Sequence, residues 1–270
     1  MQGHFHIACG VDPNGRTHLT HREINAPFHL SRPYWDGHAL IVQAVHVAAG
    51  VFAGDTLSLR ARVPSRARLL LTSPSAQRIH TMPAGIAATA QEFHIESEGW
   101  LETWPEWFIP QRDCHHRQTT HIHVAGGGEA YLVETLTPGR TAHGEWFDFR
   151  RLEWETLLHY DGHLVVCERA SLTGPQCRDR LRLPGSSHRP GAYYAVIHIV
   201  TPRNLPLRDL QTALHTSSPD AWTGLTRLHD HVYAVRILTP GSQALRNALA
   251  HVRNLFQTHL PPLQANPRKL

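Results

Sequence analysis

The clearest pattern of apolar and polar positions lies between residues 47 and 78. Residues 56–63 alternate strictly, and the apolar side chains on one face are Leu57, Leu59, Ala61 and Val63. This period of two predicts a half-buried β-strand. Pro64 interrupts the alternation, and residues 67–72 predict a second strand that ends before Pro74.

The strand–turn–strand pattern recurs over residues 90–104 and 120–135. Val63, Ile95 and Val124 occupy equivalent places in the three copies, about thirty residues apart. A unit repeated at this spacing predicts stacked hairpins, each of which buries its apolar face on the next. The alternative is an ordinary antiparallel sandwich whose hairpins resemble one another by chance.

Further strands are expected on both sides of this region. A weaker fourth copy covers residues 152–168 and turns at Asp161-Gly162. Polar composition predicts loops at residues 111–118 and 174–191. The other predicted strands are residues 4–9 and 16–24 around a turn at 12–15, then 40–47, 146–160, 164–172, 193–200 and 232–238. Residues 193–200 are apolar on both faces, which predicts a central, buried strand.

Helical patterns are few and lie mostly near the C-terminus. One short helical turn is predicted within residues 136–145, and a helix within 205–214. The strongest helix covers residues 243–260, with Ser242 as its predicted cap, Pro261 after its end and an apolar stripe of Leu245, Leu249, Val252, Leu255 and Phe256. We expect this stripe to pack on the sheet, and the alternative is that it docks a partner.

These patterns predict a mainly β fold, a two-layer solenoid-like structure or sandwich of stacked hairpins with a few helices, including one at the C-terminus. The chain of 270 residues contains no convincing linker, so we expect a single domain over residues 1–270. Within it, residues 1–200 are rich in strands, residues 201–262 mix strands and helices, and residues 263–270 form a frayed tail.

Composition excludes several classes of function. The net charge is +4, and Lys269 is the only lysine, which excludes Schiff-base chemistry and a P-loop. The sequence contains none of the nucleotide-binding, serine-hydrolase, zincin or EF-hand motifs. Four scattered cysteines form no Cys-x-x-Cys pair. The N-terminus lacks a signal-peptide layout and residues 39–54 are too short to cross a bilayer, so the expected compartment is the cytoplasm, without membrane contact.

Histidine and arginine are both enriched. The 23 histidines include pairs spaced i, i+2, which places both rings on one strand face: His4/His6, His121/His123 and His229/His231. Exposed polar positions explain these pairs, and a histidine-dependent metalloenzyme on a β scaffold is the alternative. Arginine pairs could contact phosphates, but aromatic residues do not alternate with them, so we expect solvated faces or protein contacts and no nucleic-acid partner.

Four segments in order resemble the urease accessory protein family called UreD or UreH. They are residues 49–55 (AGVFAGD), 71–79 (LTSPSAQRI), 101–106 (LETWPE) and 134–145 (ETLTPGRTAHGE). The resemblance covers nearly the whole chain, with one departure: Ala49 stands where the family has the first glycine of a pair. The motif residues for which we expect structural roles are Gly50, Gly54, Thr72, Glu102, Pro105, Gly139 and Gly144.

The resemblance implies a non-enzymatic maturation factor with a largely β, solenoid-like fold. Such a factor works with UreF, with the GTPase UreG through UreF, and with the urease apoprotein to deliver nickel through an internal polar path. By the match, the residues for this path or for partner contact are Asp55, Glu134, Arg140 and Glu145. Carboxylates hold Ni²⁺ weakly enough to release it. We therefore expect transient Ni²⁺ contact and no tightly bound cofactor or metal.

Overall fold

The computed structural model describes residues 1–183, 192–216 and 220–267. The strands in this part of the chain are β1 (Gln2–Val11), β2 (Thr17–Ile24), β3 (Phe28–Leu30), β4 (Tyr34–Asp36), β5 (Ala39–His46), β6 (Thr56–Val63), β7 (Arg68–Thr72), β8 (Gln77–Ile79), β9 (Ala87–Ile95), β10 (Trp100–Trp104), β11 (Phe108–Pro110), β12 (His115–Val124), β13 (Glu129–Leu136), β14 (Arg151–Tyr160), β15 (His163–Leu172), β16 (Tyr193–Val200), β17 (Trp222–His229) and β18 (Val232–Thr239). The α-helices are α1 (Gly174–Arg180), α2 (Leu207–Thr216) and α3 (Ser242–Gln257). The predicted short helical turn is confirmed as a 3-10 helix at Thr141–His143.

Two large sheets face each other and form the layers of the fold. The seven-stranded sheet has the order β15-β14-β12-β9-β6-β1-β2. The nine-stranded sheet has the order β17-β18-β16-β13-β10-β7-β5-β3, with β4 paired to β5. The apolar faces of the strands meet between the sheets, where Phe5, Phe93 and Leu69 belong to one buried cluster. The predicted mainly β, two-layer, solenoid-like fold is confirmed.

The repeated units are coils that cross between the sheets, so the expected hairpins are wrong. β6 pairs in parallel with β9 and β9 with β12, while β7 pairs with β10 and β10 with β13 in the other sheet. The predicted equivalence is confirmed, because Ile95 lies between Val63 and Val124 in register. Alternation in sequence shows which side chains are buried, but it does not show which strand supplies the hydrogen-bonded neighbour.

The fourth copy ends the stack of coils. β14 continues the parallel ladder, with Tyr160 opposite Val124. β15 then turns back at the predicted turn and pairs antiparallel with β14 in the same sheet, so this copy is a true hairpin. The predicted central strand is confirmed, because β16 lies between β13 and β18, antiparallel to both.

Several local predictions were wrong. The loop expected at 111–118 ends early, because β12 begins at His115, and the loop expected at 174–191 contains α1 over Gly174–Arg180. Residues 184–191 lie outside the described part of the chain. The strand expected over 146–160 begins only at Arg151. The polar composition of residues 111–118 predicted a loop that extends into β12, because β12 has polar residues even at its inward positions.

The C-terminal helix packs on the nine-stranded sheet, which confirms the expected role of its stripe. Leu245, Leu249, Val252 and Phe256 are buried in a cluster with side chains of β16 and β18. The predicted cap is wrong, because Gly241 is the cap residue and Ser242 begins the helix. The expected frayed tail is also wrong as far as residue 267, because Leu263 and Ala265 are buried; residues 268–270 lie outside the described chain. In the described part, no helix is long and apolar enough to span a membrane.

Candidate functional site

Two cavities lie between the sheets and share part of their walls. The first has a volume of about 140 Å³ and the second about 540 Å³. Glu134, Thr135 and Trp154 line both of them. Glu134 is on β13 of the nine-stranded sheet and Trp154 is on β14 of the other sheet. The two cavities therefore adjoin at Glu134, and we call them together the passage; most of its lining is apolar, with polar side chains among it.

The Glu134 carboxylate is surrounded by neutral hydrogen-bond donors. Its Oε1 accepts hydrogen bonds from Gln118 Nε2 at 2.9 Å, from Thr120 Oγ1 at 3.1 Å and from Trp154 Nε1 at 3.4 Å. Its Oε2 accepts one from Thr156 Oγ1 at 3.3 Å. These donors occupy alternating inward positions of β12 and β14, where an apolar core would normally continue. These neutral donors satisfy both carboxylate oxygens of Glu134 without placing a cation beside them.

A second carboxylate, Glu168, lies further along the passage. It pairs in register with Thr156 across the β14–β15 hairpin and forms an ion pair with Arg236 of β18. The His198 Nε2 atom is 3.6 Å from Glu168 Oε2, too far for a hydrogen bond but close enough for charge interaction. The His198 imidazole, together with Arg236, lowers the pKa of Glu168 from its ordinary value.

The first cavity extends away from Glu134 along polar side chains of the motif segments. Thr72 and Pro105, two residues of the quoted motifs, line it together with Glu106 and His46. Thr72 Oγ1 donates to the Trp104 carbonyl oxygen at 2.5 Å, which fixes the wall next to Pro105. Burial lowers the pKa of His46, so this wall tends to carry a neutral imidazole. Carboxylates, neutral polar groups and the cation of Arg236 are therefore spaced along the mostly apolar lining of the passage.

The structure separates the four charged residues that the sequence singled out. Of these, Glu134 lines the two cavities, whereas Asp55, Arg140 and Glu145 line neither. Asp55 is 6% exposed and accepts hydrogen bonds from the Phe52 backbone N–H at 2.8 Å and from the Met1 amine at 2.6 Å. Asp55 therefore holds the turn that precedes β6.

Arg140 and Glu145 form a local ion pair next to the 3-10 helix. The Arg140 guanidinium donates to both oxygens of the buried Glu145 carboxylate, and the hydrogen bond lowers the pKa of Glu145. Gly144 ends the 3-10 helix with φ of +74°. A Cβ atom on Gly139 would lie 3.0 Å from the Pro110 carbonyl oxygen. This pair therefore braces the corner after β13 from outside the passage.

At one position of the first motif, a steric clash explains why the residue is glycine. A Cβ atom on Gly50 would lie 2.4 Å from the Arg78 carbonyl oxygen, whereas Gly54 has φ of +82° and open space around it. Ala49 is not among the described residues with positive φ. The departure from the family pattern at Ala49 therefore falls where this backbone accepts a side chain.

Sequence reasoning missed most of the passage. Its further polar members are Gln118, Thr120, Thr156, Glu168, His198 and Arg236. One signal was available in the sequence. Counting back in steps of two from the predicted strand at 120–124, the inward positions are polar, and an apolar core does not require polar residues there. A buried histidine within the apolar segment 193–200 was a second signal. The partners of both depend on contacts between distant strands.

The three histidine pairs differ in whether both rings share one face of a strand. His4 and His6 stack on β1 with a centroid distance of 4.9 Å, and His121 and His123 share the outer face of β12. His229 ends β17 and His231 lies in the following turn, so these two do not share a strand. Among residues 1–183, 192–216 and 220–267, no group of three or more His, Cys, Asp or Glu side chains could hold a metal ion.

The coiled strands that cross between the two sheets define a β-solenoid-like protein. The model of the UreD urease accessory protein family matches residues 1–269. A protein named urease accessory protein UreD from Opitutus terrae is 34% identical over 99% of this chain and 98% of its own length. Proteins of the same name from Acetivibrio thermocellus and Halalkalibacterium halodurans are 26% and 28% identical, each over 90% of this chain.

The chain therefore belongs to the UreD urease accessory protein family, and its role is in urease maturation. Its relatives are named as accessory proteins, which confirms the expectation of a protein that is not an enzyme. Family membership also replaces the alternative of a histidine-dependent metalloenzyme. Membership implies interaction with the urease maturation machinery.

Proposed function

We propose that this protein works with UreF, and through UreF with the GTPase UreG, to deliver nickel into apo-urease by way of the interior passage. The observation that carries this proposal is the position of Glu134, which lines both cavities at the point where they meet. The passage lies between the two sheets and extends to the partly exposed side chains of Glu168 and Arg236, which gives an ion access from the protein surface.

The chemistry of the walls supports transfer rather than storage. Glu134 and Glu168 supply carboxylate oxygens, and Thr120 and Thr156 supply hydroxyl oxygens next to them. Oxygen donors bind Ni²⁺ less strongly than thiolates or a cluster of imidazoles, so an ion can leave the site. We therefore propose transient Ni²⁺ contact within the passage and no tight nickel site. A single nanomolar nickel site in a calorimetric titration would contradict this part of the proposal.

The main test is a charge-neutral change at Glu134. Glu134→Gln is expressed together with UreF, UreG and apo-urease, and the nickel content and activity of the purified urease are measured. We expect the complex to form as in wild type and the nickel content of urease to fall several-fold. The control is Glu153→Gln, because Glu153 lies on the outer face of β14 and pairs with His115 and Arg117.

A steric test examines the passage itself. Ala170 lines the second cavity and is solvent-exposed, so Ala170→Trp places a large ring at its mouth without replacing a core residue. The matched control is Ser171→Trp, because the adjacent strand position points to the opposite face. Reduced nickel loading with Ala170→Trp alone supports the passage. Full loading with both Ala170→Trp and Glu134→Gln would rule out this route.

A further inference from the structure

A narrow third side of the molecule lies where the chain crosses from the nine-stranded sheet to the seven-stranded sheet. β8 and β11 pair there in parallel, and Val51 extends this ladder as a bridge to Ile79. Val51 and Ile79 are fully buried, so the residues on either side of Ile79, Arg78 and His80, point outwards. Ile109 of β11 lies opposite Arg78 in register.

An exposed aromatic ring stands at one end of this side. Phe52 is 45% exposed, and its ring stacks on His80 with a centroid distance of 4.4 Å and an angle of 4° between the planes. His80 Nε2 donates to the Ala49 carbonyl oxygen at 3.1 Å, which fixes the imidazole. Gly50 leaves room for it, because a Cβ atom there would lie 2.7 Å from His80 Cδ2. The Phe52 ring is therefore supported from beneath.

The neighbouring loop is also held in place. The Arg150 guanidinium donates to the carbonyl oxygens of Pro83 and Gly85. The Gly54 backbone N–H donates to the Ile86 carbonyl oxygen at 2.9 Å, which joins this loop to the turn at Gly54. A surface that is ordered before binding loses less conformational entropy on association.

The exposed charge at the centre of this side is positive. Residues 44–54 and 79–91 contain no Asp, Glu, Lys or Arg. Arg78 is exposed and has no ion pair or side-chain hydrogen bond within the described ranges of the chain. The nearby Asp55 carboxylate is buried and already paired with the Met1 amine. The Arg78 guanidinium is therefore available to a carboxylate from outside the chain.

We propose that Phe52, His80, Arg78 and Ile109 form a docking surface for a protein partner. The partner presents an apolar side chain that covers the Phe52 ring and a carboxylate that pairs with Arg78. Aromatic rings and arginine are the residue types that supply most of the binding energy at protein interfaces. Charge complementarity indicates an acidic partner, because the surface carries a free cation and its flanking segments carry no carboxylate.

This inference rests on the proposed function, because the partner is one of the maturation proteins named there. It concerns a different part of the molecule from the passage, since Phe52 and Arg78 line neither cavity. Both residues belong to the motif segments 49–55 and 71–79, and neither is explained by the passage.

The test measures binding of the full chain to purified UreF and, separately, to purified apo-urease by biolayer interferometry. Wild type is compared with Phe52→Asp and Arg78→Glu. The matched controls are Leu164→Asp and Arg62→Glu, because Leu164 is 53% exposed on β15 and Arg62 is exposed on the outer face of β6. All four variants should keep the circular dichroism spectrum of wild type.

We expect Phe52→Asp and Arg78→Glu to weaken binding of one partner by about tenfold or more, and the controls to leave it unchanged. Arg78→Glu should act mainly on the association rate, and its effect should shrink at high salt. Loss of binding with Phe52→Asp but not with Arg78→Glu would show that the partner is not acidic, and would overturn the proposed chemistry.

The remaining outcomes separate this inference from the proposed function. If wild type binds a partner and both variants bind it as the controls do, the docking surface is wrong and the proposed function stands. If wild type binds neither protein, both are wrong. If Phe52→Asp abolishes self-association of the chain and leaves partner binding intact, the occupant is a second copy, which contradicts the proposal.

Discussion

Arg253 in the C-terminal helix donates hydrogen bonds to both carboxylate oxygens of Glu102 in the nine-stranded sheet. The distances are 2.7 Å from Nε to Oε1 and 3.1 Å from Nη2 to Oε2. Both side chains are buried, at 5% and 0% exposure. Arg253 Nη2 also donates to the Ala265 carbonyl oxygen at 2.5 Å. Glu102, a motif residue, therefore holds the last helix through Arg253, and Arg253 in turn holds the segment after the helix.

The first prediction concerns this pair. Arg253→Met leaves the Glu102 carboxylate buried without a cation, so the free energy of unfolding should fall by about 3–5 kcal/mol. Urea denaturation followed by circular dichroism measures the change. The control is Arg227→Met, which removes the exposed pair with Asp230 and should cost at most about 1 kcal/mol. Equal losses in the free energy of unfolding for the two variants would show that the buried pair does not contribute strongly to stability.

The second prediction concerns the close backbone approach at Gly50. Gly50→Ala places a Cβ atom 2.4 Å from the Arg78 carbonyl oxygen, and backbone on both sides must shift to relieve the clash. We expect a loss of about 3 kcal/mol in the free energy of unfolding. Gly224→Ala is the control, because a Cβ atom there meets nothing within 4 Å. A thermal midpoint unchanged by Gly50→Ala would contradict the steric account.

The third prediction concerns stability in acid. Burial, assisted by the neighbouring His115, lowers the pKa of His116 from 6.5 to about 3, and its Nε2 lies 3.0 Å from Thr89 Oγ1. As pH falls below 6.5 the unfolded chain takes up a proton that the folded chain refuses. This group therefore removes about 1.4 kcal/mol of stability per pH unit until the pH approaches 3.

The measurement for His116 is urea denaturation at several pH values between 7 and 4. His116→Gln lacks this ionisable group, so its stability should decline less steeply with falling pH than that of wild type. His38→Gln, which changes an exposed histidine, should follow the wild-type slope. Parallel slopes for wild type and His116→Gln would contradict the prediction.

The fourth prediction concerns the electrostatics of the passage. Arg236→Gln removes a cation beside Glu168, so the pKa of Glu168 should rise towards its ordinary value, although the contact with His198 remains. The wild-type carboxylate stabilises the fold above its unfolded pKa, and this contribution disappears as pH falls through the folded pKa. Titration of the carboxyl ¹³C signal measures the change.

The control for the passage is Arg227→Gln. Arg227 forms an exposed ion pair with Asp230 and lines neither cavity, so this variant should leave the Glu168 titration unchanged. If Arg227→Gln shifts the Glu168 signal as much as Arg236→Gln does, the effect is long-range and the local pairing is not its cause.

The passage shows why a site can be only partly predicted. Glu134 was identified from a motif, because the residues that carry the motif are contiguous in sequence. Glu168 and His198 were missed, because they meet only after β15 folds back on β14 and β16 inserts beside β13. Conversely, Asp55 and Glu145 lie in equally clear motifs but bind their own local backbone and neighbours. Motif membership does not show which way a side chain faces.

The sequence by itself determined most of the long strands, their buried faces, the repeat and the stripe of the last helix. Alternation and helical spacing are local properties, and burial of apolar side chains makes them visible in one dimension. Only the tertiary structure decided that Val63 pairs with Ile95 across coils and that polar side chains of β12, β14 and β15 converge on one passage. The physical reason is that parallel pairing joins strands about thirty residues apart in sequence. The period of two along a strand is the same whichever strand lies beside it, so the period does not identify the neighbour.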